Sequence, residues 1–154
     1  MKRFALIFVL ILATTEAWAE SQEDNHSSTP APITLEGDWT MIRHACSSGA
    51  PPADAYVPGR DRLEISFNQQ TFSSRSRVGA CDTWTTGRYT FDGNVLVMNS
   101  TQVNSNCDAR GALGRFSYPL DFMGGDNFVI HMGPVDGGVC PRGDLLQNTY
   151  RRTN

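Results

Sequence analysis

Lysine is almost missing from this chain. Lys2 is the only one, and every later basic side chain is arginine. Long apolar runs are missing too. The longest, Phe4 to Ala13, has ten residues, against the roughly 20 that a membrane span needs. There is no C-x-x-C knuckle, which argues against a zinc site. There is no Gly-x-Ser-x-Gly elbow and no pair of carboxylates on a shared face, so neither a serine hydrolase nor a glycosidase is indicated. Gly133-Pro134-Val135-Asp136-Gly137-Gly138 lacks the EF-hand pattern and reads as a rim loop. The expectation is a protein that is not an enzyme and carries no cofactor and no metal. Of the three histidines, His26, His44 and His131, none has an evident ligating partner in sequence.

What is present first is an export signal. Lys2 and Arg3 precede the short apolar run, and Ala17-Trp18-Ala19 fits a small-x-small cleavage site. Cleavage there makes residues 1–19 a signal peptide, gives a mature chain of 135 residues and predicts a secreted or periplasmic protein with no membrane span. Removing Lys2, Arg3 and Glu16 from 13 basic and 16 acidic groups leaves 11 and 15, a formal charge of −4. That balance excludes nucleic acid as the expected partner, since phosphate binding wants a basic face. Residues 20–34 are polar, rich in Ser and Pro and without apolar periodicity, and read as a flexible leader. Residues 35–154 then form one domain.

That domain reads as eight strands and no helix: 35–46, 62–67, 71–78, 84–91, 94–103, 115–122, 127–132 and 144–152. Alternation is cleanest at Leu63, Ile65 and Phe67 against Arg62, Glu64 and Ser66. Asn68-Gln69-Gln70, Asp92-Gly93-Asn94 and Gly124-Gly125-Asp126 read as tight turns. They alternate with longer connections at 47–61, 79–83, 104–114 and 133–143. In an up-and-down meander all long loops then fall at one end, which favours an all-β, eight-stranded antiparallel up-and-down barrel over a Greek-key sandwich. Four cysteines in an exported chain imply two disulfides, and sequence alone allows three pairings. Barrel closure brings the first and last long loops together and leaves the middle two adjacent. That favours Cys46–Cys140 and Cys81–Cys107.

Gly37-Asp38-Trp39 opening the first strand, with Tyr150-Arg151-Arg152 ending the last, resembles the lipocalin (calycin) pattern. The resemblance implies that Trp39 plugs the closed end and that an arginine, Arg151, packs across it. The chain departs from typical lipocalins. It has no room for a helix after the barrel, and Leu120-Asp121-Phe122 is only a loose echo of their middle motif. It is more similar to the compact bacterial lipocalin-like barrels, near the secreted metalloprotease inhibitors.

The expected ligand-binding residues at the open end are Met41, Arg43, Ile65, Phe72, Trp84, Arg88 and Tyr118. Arg43 shares parity with Trp39 and Met41 and so is expected inside, as an anion-binding head. The leading expectation is a monomeric binding protein for a small hydrophobic or amphipathic ligand, partly apolar and with room for an anionic group. The alternative is a protease inhibitor that uses the leader and the rim loops.

Overall fold

The computed structural model describes residues 34–53, 56–57, 59–108, 113–133 and 139–153. The expected signal peptide and all of the expected leader before Thr34 lie outside them. The described residues form eight strands and no helix: β1 (Gly37–Cys46), β2 (Arg62–Asn68), β3 (Thr71–Val78), β4 (Cys81–Phe91), β5 (Val95–Ser105), β6 (Gly114–Phe122), β7 (Asn127–Met132) and β8 (Leu146–Thr153). Each pairs antiparallel with its chain neighbours, and β1 pairs β8, so the barrel is closed in chain order. Closure leaves no unpaired edge. No helix among the described residues is long and apolar enough to cross a membrane.

The disulfides are Cys46–Cys140 and Cys81–Cys107, with Cα atoms 5.6 and 5.7 Å apart. The first ties the end of β1 to the segment entering β8 and so braces the seam. The second links the start of β4 to the residues just after β5.

One loop differs from expectation. The second connection at the open end is not long: Val78 pairs with Cys81, leaving only Gly79 and Ala80 as the turn. Gly79 has φ of +58°, as the first position of a type II′ hairpin requires. Asp82 is drawn into the ladder because Arg75 and Arg77 reach it from β3, at 2.7 and 3.4 Å.

The closed end holds the apolar core. Trp39, Phe67, Leu96, Leu120 and Phe128 are fully buried there, each stabilising by about 1.5–3 kcal/mol through burial. Trp39 meets Phe128 edge-on at 4.6 Å and Phe67 meets Tyr89 edge-on at 4.7 Å. Trp39 Nε1 donates to the Leu35 carbonyl at 2.8 Å, so its one polar atom is satisfied.

The arginine across Trp39 is Arg152, not Arg151. Its guanidinium carbon lies 4.2 Å from the ring centroid. Register explains the exchange. Arg152 stands opposite Trp39 and shares its face, whereas Arg151 stands opposite Thr40 and points outward into solvent.

Candidate functional site

Above the Trp39 floor the barrel interior changes character, and strand register dictates how. Inward positions on β3, β4 and β5 carry Ser74, Ser76, Thr83, Thr85, Ser100 and Ser105. Ile65 leads across the ladder to Ser74 and then Thr85; Leu63 leads to Ser76, Thr83 and Ser105. One wall of the open half is therefore lined mainly by hydroxyls, with Val103 beside Thr85 in the same row. Thr83 and Ser105 hydrogen-bond each other at 2.7 Å beside the Cys81–Cys107 bridge.

The opposite wall comes from β7, β8 and β1. Ile130, Asn148 and His44 form one row across it, and Phe128, Tyr150 and Met41 the row below. His44 Nδ1 donates to Asn148 Oδ1 at 2.6 Å, which fixes the proton on Nδ1 because an amide oxygen only accepts. The Asn148 side chain also faces the Tyr150 hydroxyl. Burial pushes the Tyr150 hydroxyl pKa far up, and the Asn148 contact offsets part of that rise. Tyr56, from the β1–β2 loop, leans over His44 with ring centroids 5.0 Å apart. Burial and then the nearby Asp61 raise the Tyr56 pKa.

The rim is tied down by Asp61. Its carboxylate accepts from Arg60 Nε at 2.9 Å, Gly79 N at 2.8 Å and Val57 N at 2.5 Å. The Arg60 guanidinium and these backbone amides hold it well below the usual carboxylate range. One buried side chain thus fastens the β1–β2 loop to the β3–β4 turn.

The expected ligand residues divide between the two faces. Met41, Ile65, Phe72 and Tyr118 point inward, with Phe72 near the closed end beside Phe67. Arg43, Trp84 and Arg88 point outward. Arg43 is turned out by a bulge: pairing with β8 slips between Met41 and Arg43, and His44 takes the inward place instead. Trp84 and Arg88 alternate with the buried Thr85 and Tyr89. Trp84 is 46% exposed, and Arg75 stacks on it at 5.0 Å. Together with Glu64 and Ser73 they line an outer groove of about 240 Å³. His131 also lies on the outer side, bonded to Asp121 at 2.8 Å.

Asn148, Thr85 and Ser100 are interior polar residues that sequence reasoning did not single out. The signal for Asn148 was present in the alternation Leu146, Asn148, Tyr150. Ser100 was hidden by the bulge between Thr86 and Gly87, which resets the parity of β5. Among the described residues no group of three His, Cys, Asp or Glu side chains is placed to hold a metal ion.

No protein-family model matches the chain, and neither a curated protein nor a solved structure matches it.

Proposed function

We propose that this chain is an exported, lipocalin-like binding protein that holds a small, partly apolar molecule at the open end of its barrel and catalyses no reaction. The observation that carries the reading is the contrast between the two halves of the interior. Below, Trp39, Phe67, Leu96 and Phe128 are packed out of solvent. Above, Leu63, Ser74, Ser76, Tyr118 and Met132 face inward yet stay partly open. An eight-stranded barrel is just wide enough to be filled by side chains or to hold one small ligand. Here fully buried positions give way to partly open ones towards the long-loop end. The two disulfides support an oxidising compartment, secreted or periplasmic, and brace the end where the ligand would enter.

Native mass spectrometry of the protein purified from its own host tests this. The expected result is a monomer carrying a non-covalent small-molecule adduct that denaturation releases. A bare chain that also fails to take up small molecules in solution overturns the reading. Co-purification with a protease points instead to the inhibitor role.

A further inference from the structure

We infer that the open half of the barrel takes an uncharged ligand carrying several hydroxyl or amide groups, of the glycoside class, and not a fatty acid or another anion. The inference rests on the binding role proposed above and specifies its ligand.

The first support is unused hydrogen-bonding capacity. Thr85 and Ser100 are each only 8% exposed, and register aims both into the barrel. Neither they nor Ser74 and Ser76 have a side-chain hydrogen bond to the protein among the described residues. Their oxygens are nonetheless not sealed off: the one buried, partnerless side-chain atom among the described residues is Asn127 Oδ1. These four hydroxyls, at inward register positions, thus have no side-chain bond to the protein among the described residues and are not shut off from water. An unpaired buried hydroxyl costs about 1–3 kcal/mol, so a dry, filled barrel has no use for this wall. A ligand that brings its own donors and acceptors does.

The second support is charge. Between the Trp39 floor and the rim, no inward strand residue among those described carries a carboxylate or a guanidinium. Arg43, Arg62, Arg77, Arg88, Arg115 and Arg151 all point outward into solvent. Arg75 stacks outside on Trp84. The buried rim carboxylate, Asp61, is already satisfied by Arg60 and two backbone amides. An anion held between the strands would lose its hydration and meet no cationic inward strand residue among those described. Tyr118 and Phe116 offer a flat apolar surface, their rings stacked 8° from parallel. A molecule with one apolar face and a hydroxylated edge matches both walls.

Three fluorescent probes on one skeleton decide the point: methylumbelliferyl β-D-glucoside, its glucuronide, in which a carboxylate replaces the hydroxymethyl group, and the butyl ether of the same fluorophore. The mature disulfide-bonded protein should bind the glucoside at least roughly tenfold tighter than either of the others. Thr85→Val and Ser100→Ala, both small changes, should each weaken the glucoside roughly three- to tenfold, as loss of one hydrogen bond implies. Neither should weaken the ether. Trp84→Phe, on the outer face, should change nothing. Glucuronide or ether binding as tightly as the glucoside overturns the inference, as does unchanged glucoside affinity in both hydroxyl variants that still melt like the parent. In those cases open-end binding stands and only the ligand class falls. If no probe binds, the inference falls, and a bare chain by native mass spectrometry removes the binding role with it.

Discussion

The guanidinium of Arg152 lies 4.2 Å from the centroid of the Trp39 ring, and its Nη1 stands 2.7 Å from where a Cβ on residue 37 would be. One arginine thereby explains two parts of the Gly-x-Trp pattern. Trp39 supplies the face it stacks on, and Gly37, at φ of +119°, leaves the space it occupies. The same guanidinium donates to the Glu36 carbonyl and, at 2.9 Å, to the Thr34 carbonyl. It therefore fixes the chain entering β1 as well as the floor of the barrel.

Arg152→Ala should cost about 2 kcal/mol, the sum expected of a cation–π contact and charge-assisted hydrogen bonds after solvent competition. Arg151→Ala, on the outer side of the same strand, should change stability by less than about 0.5 kcal/mol. Urea unfolding followed by tryptophan fluorescence measures both. Equal losses would contradict the assignment of the closing role to Arg152.

The β2–β3 hairpin turns through Gln69 and Gln70, both in left-handed backbone at φ of 45° and 68°. Such conformations cost an ordinary residue about 1–2 kcal/mol, and a two-residue hairpin with both φ positive prefers Asn-Gly. The contact that Gln69 makes is through its backbone amide, which donates to Glu36 at 3.0 Å and survives substitution. Replacing the pair by Asn-Gly should add about 1 kcal/mol and raise Tm by about 4 °C. A drop in Tm would show that the glutamine side chains themselves hold the turn.

Gly87 sits where β4 and β5 slip register, between Thr86 and Gly87. A Cβ there would come within 2.0 Å of the Asn99 carbonyl oxygen and 2.8 Å of Phe72. The first obstacle is backbone and cannot rotate aside. Gly87→Ala should therefore destabilise by about 3 kcal/mol, visible as a fall in the chemical denaturation midpoint at unchanged slope. By contrast, Gly93→Ala strains only an exposed turn, at φ of +104° with open space around it, and should cost about 1 kcal/mol.

Strand number, closure and disulfide pairing were legible because they rest on repeated, local signals. Leu63, Ile65 and Phe67 alternate without interruption, and Asp92-Gly93-Asn94 has the residues a tight turn needs. The site was less legible because it depends on where parity is reset. A single bulge after Met41 turns Arg43 outward and His44 inward, and nothing in the residues around it announces the extra position. Connection length failed at 79–83 for a different reason. Asp82 and Thr83 look like loop residues by composition, yet Asp82 is held in the ladder by arginines one strand away. Arg152 was within reach: counting inward from Tyr150 gives the correct arginine directly. Trp84 was expected among the ligand residues at the open end, yet it stands outside the barrel, where Arg75 covers one side of it.

The rim carboxylate makes acid sensitivity a test of the mouth. Asp61 is held well below the ordinary carboxylate range, mainly by the Arg60 guanidinium and then by the Gly79 amide. A depressed folded-state pKa means that its stabilisation is complete above the unfolded value of about 3.9 and is lost as pH falls through the folded one. Wild-type Tm should therefore decline below about pH 4 by more than that of Asp61→Asn. At pH 7 the variant should melt lower than the parent, because the amide cannot satisfy Arg60 and two backbone amides together. As pH drops towards the folded value the two curves should converge. Arg60→Ala should lower Tm at pH 7 and leave a smaller acid dependence, since the backbone amides of Gly79 and Val57 remain. Thermal scans across that window by circular dichroism measure all three. Parallel curves at every pH would mean that Asp61 does not tie the β1–β2 loop to the β3–β4 turn in solution, and that the mouth is not anchored by this carboxylate.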